Sequence, residues 1–184
     1  YLVTEATRNF AKKDLTFECW VNFDSLQNAT FFSHGSANEA ISMGMNNNGN
    51  VVVKVGSKEI TSEKVPAWEK SSWNHVALVY DNVDTTVTAY VNYVSVIDGQ
   101  KVGAYNGNGV VEIGRDVATQ SGNFNGEVDQ FRIWNAVRSS ATIQANSATQ
   151  LSGNDLGLIA YYDMDEAKGN ATEDKARGAT LIMK

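Results

Sequence analysis

The sequence contains one cysteine, one proline and two histidines among its 184 residues. Because Cys19 is alone, no disulfide can form within the chain and no cysteine-based metal site can be built. A single proline and the lack of a low-complexity linker give no sign of a domain boundary, so residues 1–184 are expected to form one domain. The chain opens at Tyr1 on sequence typical of a domain interior, which predicts that it belongs to a longer protein.

Long apolar runs and clusters of basic residues are also missing. No run reaches the roughly 18 apolar residues of a transmembrane helix, so insertion into a membrane is not expected. The formal net charge is −6, from 21 acidic and 15 basic residues. Nucleic acids and anionic membranes bind clustered Lys and Arg, so neither is an expected partner. A hydrophobic fraction of 42% excludes a disordered chain.

Alternation of apolar and polar residues predicts an all-β fold. Residues 15–23 place apolar side chains at every second position, which gives a strand with one buried face. Residues 76–80 are apolar without alternation, so this strand is expected at the centre of a sheet. Asn-Gly and Asp-Gly pairs between the runs tolerate the positive φ of tight hairpins. Further strands are predicted at residues 40–45, 50–55, 73–80, 86–93, 110–114, 127–134, 158–163 and 179–183.

One short helix is predicted, capped by Ser139 and Ser140 and ending near Ser147. Its only apolar anchor is Ile143, and we expect it to pack across one end of the fold. About nine to twelve short, regularly spaced strands predict a two-sheet antiparallel β-sandwich of the jelly-roll type.

Four segments carry motifs that occur together in one known family. They are residues 15–24 (LTFECWVNFD), residues 73–92 with WNHVALVYD and AYVN, residues 111–139 with VEIGR, FNGEVDQFRIWN and a later RS, and residues 157–166 (GLIAYYDMDE). In this order they resemble the laminin-G-like, concanavalin-A-like lectin superfamily, in particular bacterial LamG and pentraxin-like jelly rolls. The resemblance implies the sandwich fold and leaves function open among lectins, adhesion modules and glycosidases. Tyr93 stands where the family has a hairpin glycine, which predicts a different turn geometry.

The strongest catalytic candidates are Glu127 and Asp129. Retaining β-glucanases on a similar sandwich carry a Glu-x-Asp-x-x-Glu motif whose carboxylates face one cleft. Alternation places Glu127 and Asp129 on one face, but the next position on that face is Phe131 and Arg132 follows it. Because the second glutamate is missing, we predict that the protein is not an enzyme. His75 resembles a framework position and is expected to be a packed structural histidine.

Four aspartates offer a candidate site for one structural calcium ion: Asp129, Asp163, Asp165 and Asp174. Calcium prefers carboxylate and carbonyl oxygens, which sandwich loops readily present. Asp129 resembles an aspartate typical of the family, and the others lie close together in sequence with Glu166. The alternative is that Asp129 accepts backbone hydrogen bonds and that the remaining carboxylates are solvated turn residues.

Sugars are bound by aromatic faces together with amides and carboxylates. Trp73 and Trp134 lie in framework motifs and are expected in the core, whereas Trp20 faces away from the apolar stripe of its strand. The ligand-binding candidates are Trp68, in an irregular segment, with Tyr105, Asn106, Asn47 and His34, which lie in predicted turns and loops. For each of them a structural role in a turn or in packing remains the alternative.

These observations favour a non-catalytic carbohydrate-binding module of a secreted or cell-surface protein, expected to be bacterial. Its predicted partner is a glycan or a cell-surface protein. The alternatives are a protein–protein adhesion or structural module without a sugar site, and a glycoside hydrolase.

Overall fold

The computed structural model describes residues 1–166 and 169–184. Within them the secondary-structure elements are β1 (Leu2–Thr4), β2 (Arg8–Asn9), β3 (Leu15–Asn22), β4 (Ala29–Ser36), β5 (Glu39–Met45), β6 (Val51–Val55), β7 (Lys58–Thr61), β8 (Trp73–Asp81), β9 (Thr86–Val91), β10 (Val94–Lys101), β11 (Asn108–Ile113), β12 (Glu127–Trp134), α1 (Ser140–Ser147), β13 (Leu158–Tyr162), β14 (Ala171–Glu173) and β15 (Thr180–Met183). No helix in these residues is long and apolar enough to cross a membrane.

The strands form two antiparallel sheets that pack face to face. The nine-stranded sheet has the order β14-β15-β1-β11-β4-β5-β6-β7, with β2 paired to β11, and the six-stranded sheet has the order β10-β9-β8-β3-β12-β13. This arrangement confirms the predicted two-sheet sandwich with one short helix. The two ends of the chain meet in the larger sheet, where β1 pairs with β15 and the amide of Lys184 donates to the carbonyl of Tyr1 at 3.0 Å.

The core lies between the two sheets and follows from the alternation in β3. Leu15, Phe17 and Cys19 are at most 1% exposed, and burial raises the pKa of the Cys19 thiol well above its usual value. Phe32 of β4 crosses the interface, with its ring centroid 5.6 Å from that of Phe17 and 5.6 Å from that of Phe131. Aromatic rings of both sheets therefore interdigitate in one hydrophobic core.

Every predicted strand is present, and its ends agree within two residues. The strands that the sequence did not reveal are β1, β2, β4, β7, β10 and β14. In β4 the reason is a bulge between Thr30 and Phe32, which breaks the alternation and lets Phe31 and Phe32 both enter the core.

Helix α1 has the predicted bounds but not the predicted position. Ser139 caps it by accepting a hydrogen bond from the Thr142 amide, and the fully buried Ile143 packs against Ala77 and Val79 of β8. The helix therefore covers the outer face of the six-stranded sheet and does not lie across an end of the sandwich. This position follows from β8 itself, which is apolar on both faces and needs cover on the outside.

A buried ionic cluster beneath α1 explains the RIWN and RS motifs. Glu18 is fully buried and its Oε1 accepts hydrogen bonds from Trp134 Nε1 at 2.6 Å and from Arg138 Nη1 at 3.0 Å. Burial raises the pKa of Glu18 more than the arginines lower it, and burial lowers the pKa of the neighbouring His75 to about 3. His75 is thus the packed histidine that the sequence predicted.

One tryptophan is placed differently from the prediction. Trp134 is 4% exposed and lies in a small hydrophobic core cluster, as predicted. Trp73, at the start of β8, is 42% exposed and is not in the core. Trp20 faces outward as predicted, and its Nε1 donates to the carbonyl of Ser147 in α1 at 3.1 Å.

The β9–β10 hairpin turns at Asn92 and Tyr93, whose φ angles are 46° and 67°. Positive φ at both positions is typical of the type I′ turn that glycine favours, so the altered geometry expected for Tyr93 is not found in these angles. The Tyr93 hydroxyl lies 2.6 Å from Ser147 Oγ, and its ring stacks on His75 at 5.2 Å. These contacts offset the strain of a left-handed tyrosine.

Candidate functional site

A groove of about 330 Å³ lies on the outer face of the nine-stranded sheet, over β4 to β7. We call it the polar groove, because hydroxyl, amide and charged side chains dominate its lining. These side chains are Asn28, Thr30, Ser42, Asn46, Lys54, Glu59, Thr61, Asp116, Thr119 and Ser121. None of the described residues that line it is aromatic.

The floor of the polar groove is built by cross-strand register. Ser33, Ser42, Lys54 and Glu59 stand opposite one another in successive strands from β4 to β7. Since residues in register share a face, and their chain neighbours such as Met43 enter the core, these four side chains all point outward. The alternation that fills the core therefore also forms a polar row outside it.

Gly44 belongs to a second outward-facing row of residues, beside the row described above, and lets the backbones of β4 and β5 approach closely. A Cβ at this position would lie 2.1 Å from the carbonyl oxygen of Ala29 and 2.8 Å from the Cα of Thr30. No larger residue fits without moving β4 away from β5, so glycine is required by close approach of the backbones.

The wall of the groove is the loop after β11, which Ser33 holds in place. Ser33 Oγ donates to the carbonyl of Arg115 at 2.8 Å and accepts from the amide of Val117 at 2.9 Å. The loop also closes on itself through an Asp116 amide that donates to the Ser121 carbonyl at 2.9 Å. These contacts place the Asp116 side chain over the floor, next to Ser42.

Asp116 brings a buried carboxylate to the centre of the groove. Asp116 is 3% exposed. Its Oδ1 accepts hydrogen bonds from the amides of Ala118 at 2.9 Å and Thr119 at 3.1 Å. Oδ2 lies 3.4 Å from Ser42 Oγ and 3.7 Å from Lys54 Nζ. The groove thus offers donors and acceptors side by side, the pattern that polyhydroxylated ligands need.

Sequence reasoning missed the residues of the polar groove, although signals for them exist. Ser42 and Gly44 alternate with the apolar residues of β5, and Lys54 stands between two valines of β6. Such positions read as an ordinary solvent face until neighbouring strands are placed in register. Asp116 directly follows the VEIGR motif, and only the path of the loop shows what it faces.

The predicted ligand-binding residues are not brought together. Trp68 Nε1 donates to the carbonyl of Gly49 at 2.7 Å, and its ring packs edge-on against Phe23 and Phe31 of the core at 5.4 and 6.0 Å. Its irregular segment therefore has a packing role, and the indole is not a free platform for a sugar ring.

The burial of His34 and Tyr105 does not agree with their predicted role as ligand contacts. His34 lies in β4 and not in a loop, and it is fully buried, while Tyr105 is 1% exposed. The Tyr105 hydroxyl lies 2.6 Å from His34 Nδ1, and His34 Nε2 lies 2.9 Å from the carbonyl of Arg8. Burial lowers the pKa of His34 to about 4. Asn47 and Asn106 are exposed and lie apart in the chain, Asn47 in the turn between β5 and β6 and Asn106 in the irregular segment between β10 and β11.

The candidate calcium ligands also separate. Asp174 Oδ2 pairs with Arg8 Nη2 at 2.6 Å, and its Oδ1 accepts from the amides of Tyr161 and Ala176, both at 2.9 Å. Both carboxylate oxygens are thus engaged by protein donors, and Arg8 supplies the positive charge beside them. The arrangement does not fit a calcium site that includes Asp174.

The other three aspartates lie near one another. Burial, then the charges of Asp165 and Asp163, raise the pKa of Asp129. Lys175 Nζ lies 3.5 Å from Asp163 Oδ1, so this group also has a cation of the protein beside it. Across residues 1–166 and 169–184, no group of three or more His, Cys, Asp or Glu is arranged to hold a metal ion. The calcium ion stays a prediction.

The Glu127–Asp129 pair lies on the other sheet, away from the polar groove. Glu127 is opposite Asn22 and Asp129 is opposite Trp20, so both side chains face outward from the six-stranded sheet. The ladder shifts between Asp129 and Arg132, and the φ of Gln130 is 49°. Because of this bulge Phe131 points into the core, and the prediction that it shares a face with Asp129 is wrong.

The fold places the chain in the class of two-sheet jelly-roll β-sandwiches, an architecture that lectin domains share. The family model described as the concanavalin A-like lectin/glucanases superfamily matches residues 1–144. The chain therefore belongs to that superfamily, which confirms the resemblance seen in the sequence. No curated protein sequence matches the chain.

Three solved structures illustrate the shared fold. A Bacteroides ovatus protein proposed to bind carbohydrate has a TM-score of 0.78 at 19% identity and covers 98% of this chain, which spans 55% of that protein. A heptameric SAP-like pentraxin from Limulus polyphemus has a TM-score of 0.64 at 19% identity, over 99% of this chain and 88% of that one. The CBM40 module of a Ruminococcus gnavus sialidase, bound to α2,3-sialyllactose, has a TM-score of 0.61 at 18% identity, over 75% of this chain and 84% of that one.

Proposed function

We propose that this chain is a non-catalytic carbohydrate-binding module of a secreted or cell-surface bacterial protein, with its site in the polar groove. The observation that carries the proposal is the row of outward-facing Ser42, Lys54 and Glu59 with the buried carboxylate of Asp116 above it. Sugar hydroxyls both donate and accept hydrogen bonds, and adjacent carboxylate, ammonium and hydroxyl groups match them. A volume of about 330 Å³ is at the lower end for ligand sites, which suits a short stretch of glycan.

The comparisons support the same function without assigning a ligand. One structural neighbour is proposed to bind carbohydrate, and another is a carbohydrate-binding module bound to a trisaccharide. The Bacteroides ovatus protein is about twice as long as this chain, so an activity of that whole protein has no counterpart in this proposal.

The non-catalytic part of the proposal rests on the placement of the carboxylates. Retaining glycosidases need two carboxyl groups about 5 Å apart across a cleft. Glu127 is exposed on the outer face of the six-stranded sheet and accepts a hydrogen bond from Asn22 Nδ2 at 3.0 Å. The groove carboxylates of Glu59 and Asp116 instead both pair with one ammonium group, that of Lys54, at 3.6 and 3.7 Å, and the Glu59 side chain is 57% exposed.

A glycan array tests the proposal with matched variants. The double variant Ser42→Ala/Lys54→Met removes a hydroxyl and the ammonium group from the polar groove, and Ser95→Ala/Lys101→Met makes the same changes on the exposed β10 edge. We expect the wild-type protein and the β10 variant to bind the same glycan and the groove variant to lose it. A blank array would contradict the proposal in favour of an adhesion or structural module. Release of sugar products from a bound glycan would contradict its non-catalytic part.

A further inference from the structure

The charges in the polar groove restrict the class of glycan that it can hold, an inference that rests on the proposed function. Three charged side chains line the groove: Lys54, Glu59 and Asp116. Lys54 Nζ is shared between the two carboxylates, 3.6 Å from Glu59 Oε2 and 3.7 Å from Asp116 Oδ2. One positive and two negative groups leave a local net charge of −1.

The Asp116 carboxylate keeps capacity to accept further hydrogen bonds. Two backbone amides engage Oδ1 at 2.9 and 3.1 Å. Oδ2 has only long contacts, 3.4 Å to Ser42 Oγ and 3.7 Å to Lys54 Nζ, whereas good hydrogen bonds to oxygen are about 2.5–3.2 Å long. This oxygen at the groove therefore retains the capacity to accept a shorter hydrogen bond from a further donor. A neutral sugar hydroxyl supplies one, and an ionised sugar carboxylate does not.

Lys54 does not reverse this preference, because its ammonium group already faces two carboxylates of the protein. An acidic sugar would have to compete with Glu59 and Asp116 for it while lying next to both. The lining also has no aromatic side chain among the described residues, so a ligand is held by hydrogen bonds and not by stacking on a ring.

We infer that the polar groove binds neutral, hydroxyl-rich glycans and discriminates against sialic and uronic acids. This preference differs from the ligand seen in one structural neighbour, since the Ruminococcus gnavus module is bound to α2,3-sialyllactose. Asp116 acts as the acceptor for sugar hydroxyls, and Glu59 supplies the second negative charge that disfavours acidic ligands.

Isothermal titration with paired oligosaccharides tests the inference. The probes are lactose beside 3′-sialyllactose, and neutral gluco-, galacto-, manno- and arabino-oligosaccharides beside oligogalacturonates. We expect binding to at least one neutral probe, at least tenfold tighter than to any acidic probe. The neutral affinity should change less than twofold between low and high salt, because no net charge is neutralised on binding.

Two variants test whether Asp116 and Glu59 cause the preference for neutral glycans. Asp116→Asn keeps Oδ1 for the loop amides but replaces Oδ2 by a donor, so the neutral probe should bind about tenfold more weakly, as expected for a lost hydrogen bond to a charged group. Glu59→Gln makes the groove neutral and should narrow the gap between neutral and acidic probes severalfold. Asp84→Asn, the same change as Asp116→Asn at an exposed turn of the six-stranded sheet, should bind as the wild type does. Cooperative urea unfolding of each variant checks that it is folded.

The outcomes distinguish a failure of the inference about neutral glycans from a failure of the proposed carbohydrate-binding function. Binding of an acidic probe as tightly as its neutral partner overturns the inference and leaves the carbohydrate-binding function standing. Unchanged neutral binding by folded Asp116→Asn also overturns the inference. If no glycan of the array or of this panel binds, the proposed function fails and the inference fails with it.

Discussion

Replacing Asp174 by asparagine separates a structural ion pair from a calcium ligand. Asp174 has a fully buried side chain that pairs with Arg8 Nη2 at 2.6 Å and accepts two backbone amides. In Asp174→Asn the remaining oxygen still accepts both amides, but an NH₂ group then faces the guanidinium of Arg8. Two donors confront each other, and the charge of Arg8, whose side chain is 14% exposed, loses its partner.

The expected cost follows from this burial. Breaking a buried ion pair by removing one partner destabilises proteins by about 3–5 kcal/mol. At about 2–4 °C per kcal/mol for a chain of this length, the melting temperature should fall by roughly 6–20 °C. Urea unfolding at pH 7, followed by tryptophan fluorescence, measures the free energy with calcium chloride and with a chelator. We expect the same loss in both conditions.

The control is Asp98→Asn, the same change at an exposed carboxylate that is not a calcium candidate, which should alter the unfolding free energy by less than about 0.5 kcal/mol. An Asp174→Asn protein within 1 kcal/mol of the wild type, on the scale of exposed pairs, would refute the reasoning. So would a calcium-dependent stabilisation of the wild type that Asp174→Asn abolishes, because Asp174 would then be a metal ligand.

Two further predictions concern residues first considered as ligand contacts. Burial lowers the pKa of His34 to about 4, so the unfolded chain takes up a proton near pH 6.5 while the folded one does not. The stability from neutral His34 is thus present above pH 6.5 and lost as pH falls to about 4, by about 3 kcal/mol. Urea unfolding across this range should show a shallower loss in His34→Gln, and equal slopes would contradict the assignment. Trp68→Phe keeps a ring in place but leaves the Gly49 carbonyl without its donor, so it should cost about 1–3 kcal/mol of unfolding free energy with unchanged glycan affinity. Weaker glycan binding at unchanged stability would instead make Trp68 a ligand contact.

The sequence predicted the fold well because the core residues alternate with polar residues along individual strands, a pattern that is visible locally. Strand β3 shows this most clearly, and β12 was predicted with its observed bounds. The strands that were missed depend on long-range pairing. Strand β4 has both faces covered and a bulge, so it lacks periodicity, and β7 is a short edge strand whose pattern is polar.

The site was harder to predict for a physical reason. A groove on the face of a sheet is lined by residues that are far apart in sequence, as Ser42 and Asp116 are. Aromatic and amide side chains in loops seemed better candidates, but Tyr105 is part of the core and Trp68 packs against it. The family motifs identified structural residues and gave no information about the groove, because RIWN and RS belong to the buried cluster around Glu18.

The pairing of Tyr1 with Lys184 has a consequence for mechanical load. Strands β1 and β15 run antiparallel, with Leu2 opposite Met183 and Thr4 opposite Leu181, so both chain ends leave the sheet at the same place. A pull applied through the two ends would open this ladder one hydrogen bond at a time, from Lys184 inward. Such unzipping spreads the work over a long extension and needs less peak force than shearing strands whose bonds break together. A pull between residues 1 and 184 would therefore peel β15 and the neighbouring β14 first, while the groove over β4 to β7 lies on the far part of the same sheet.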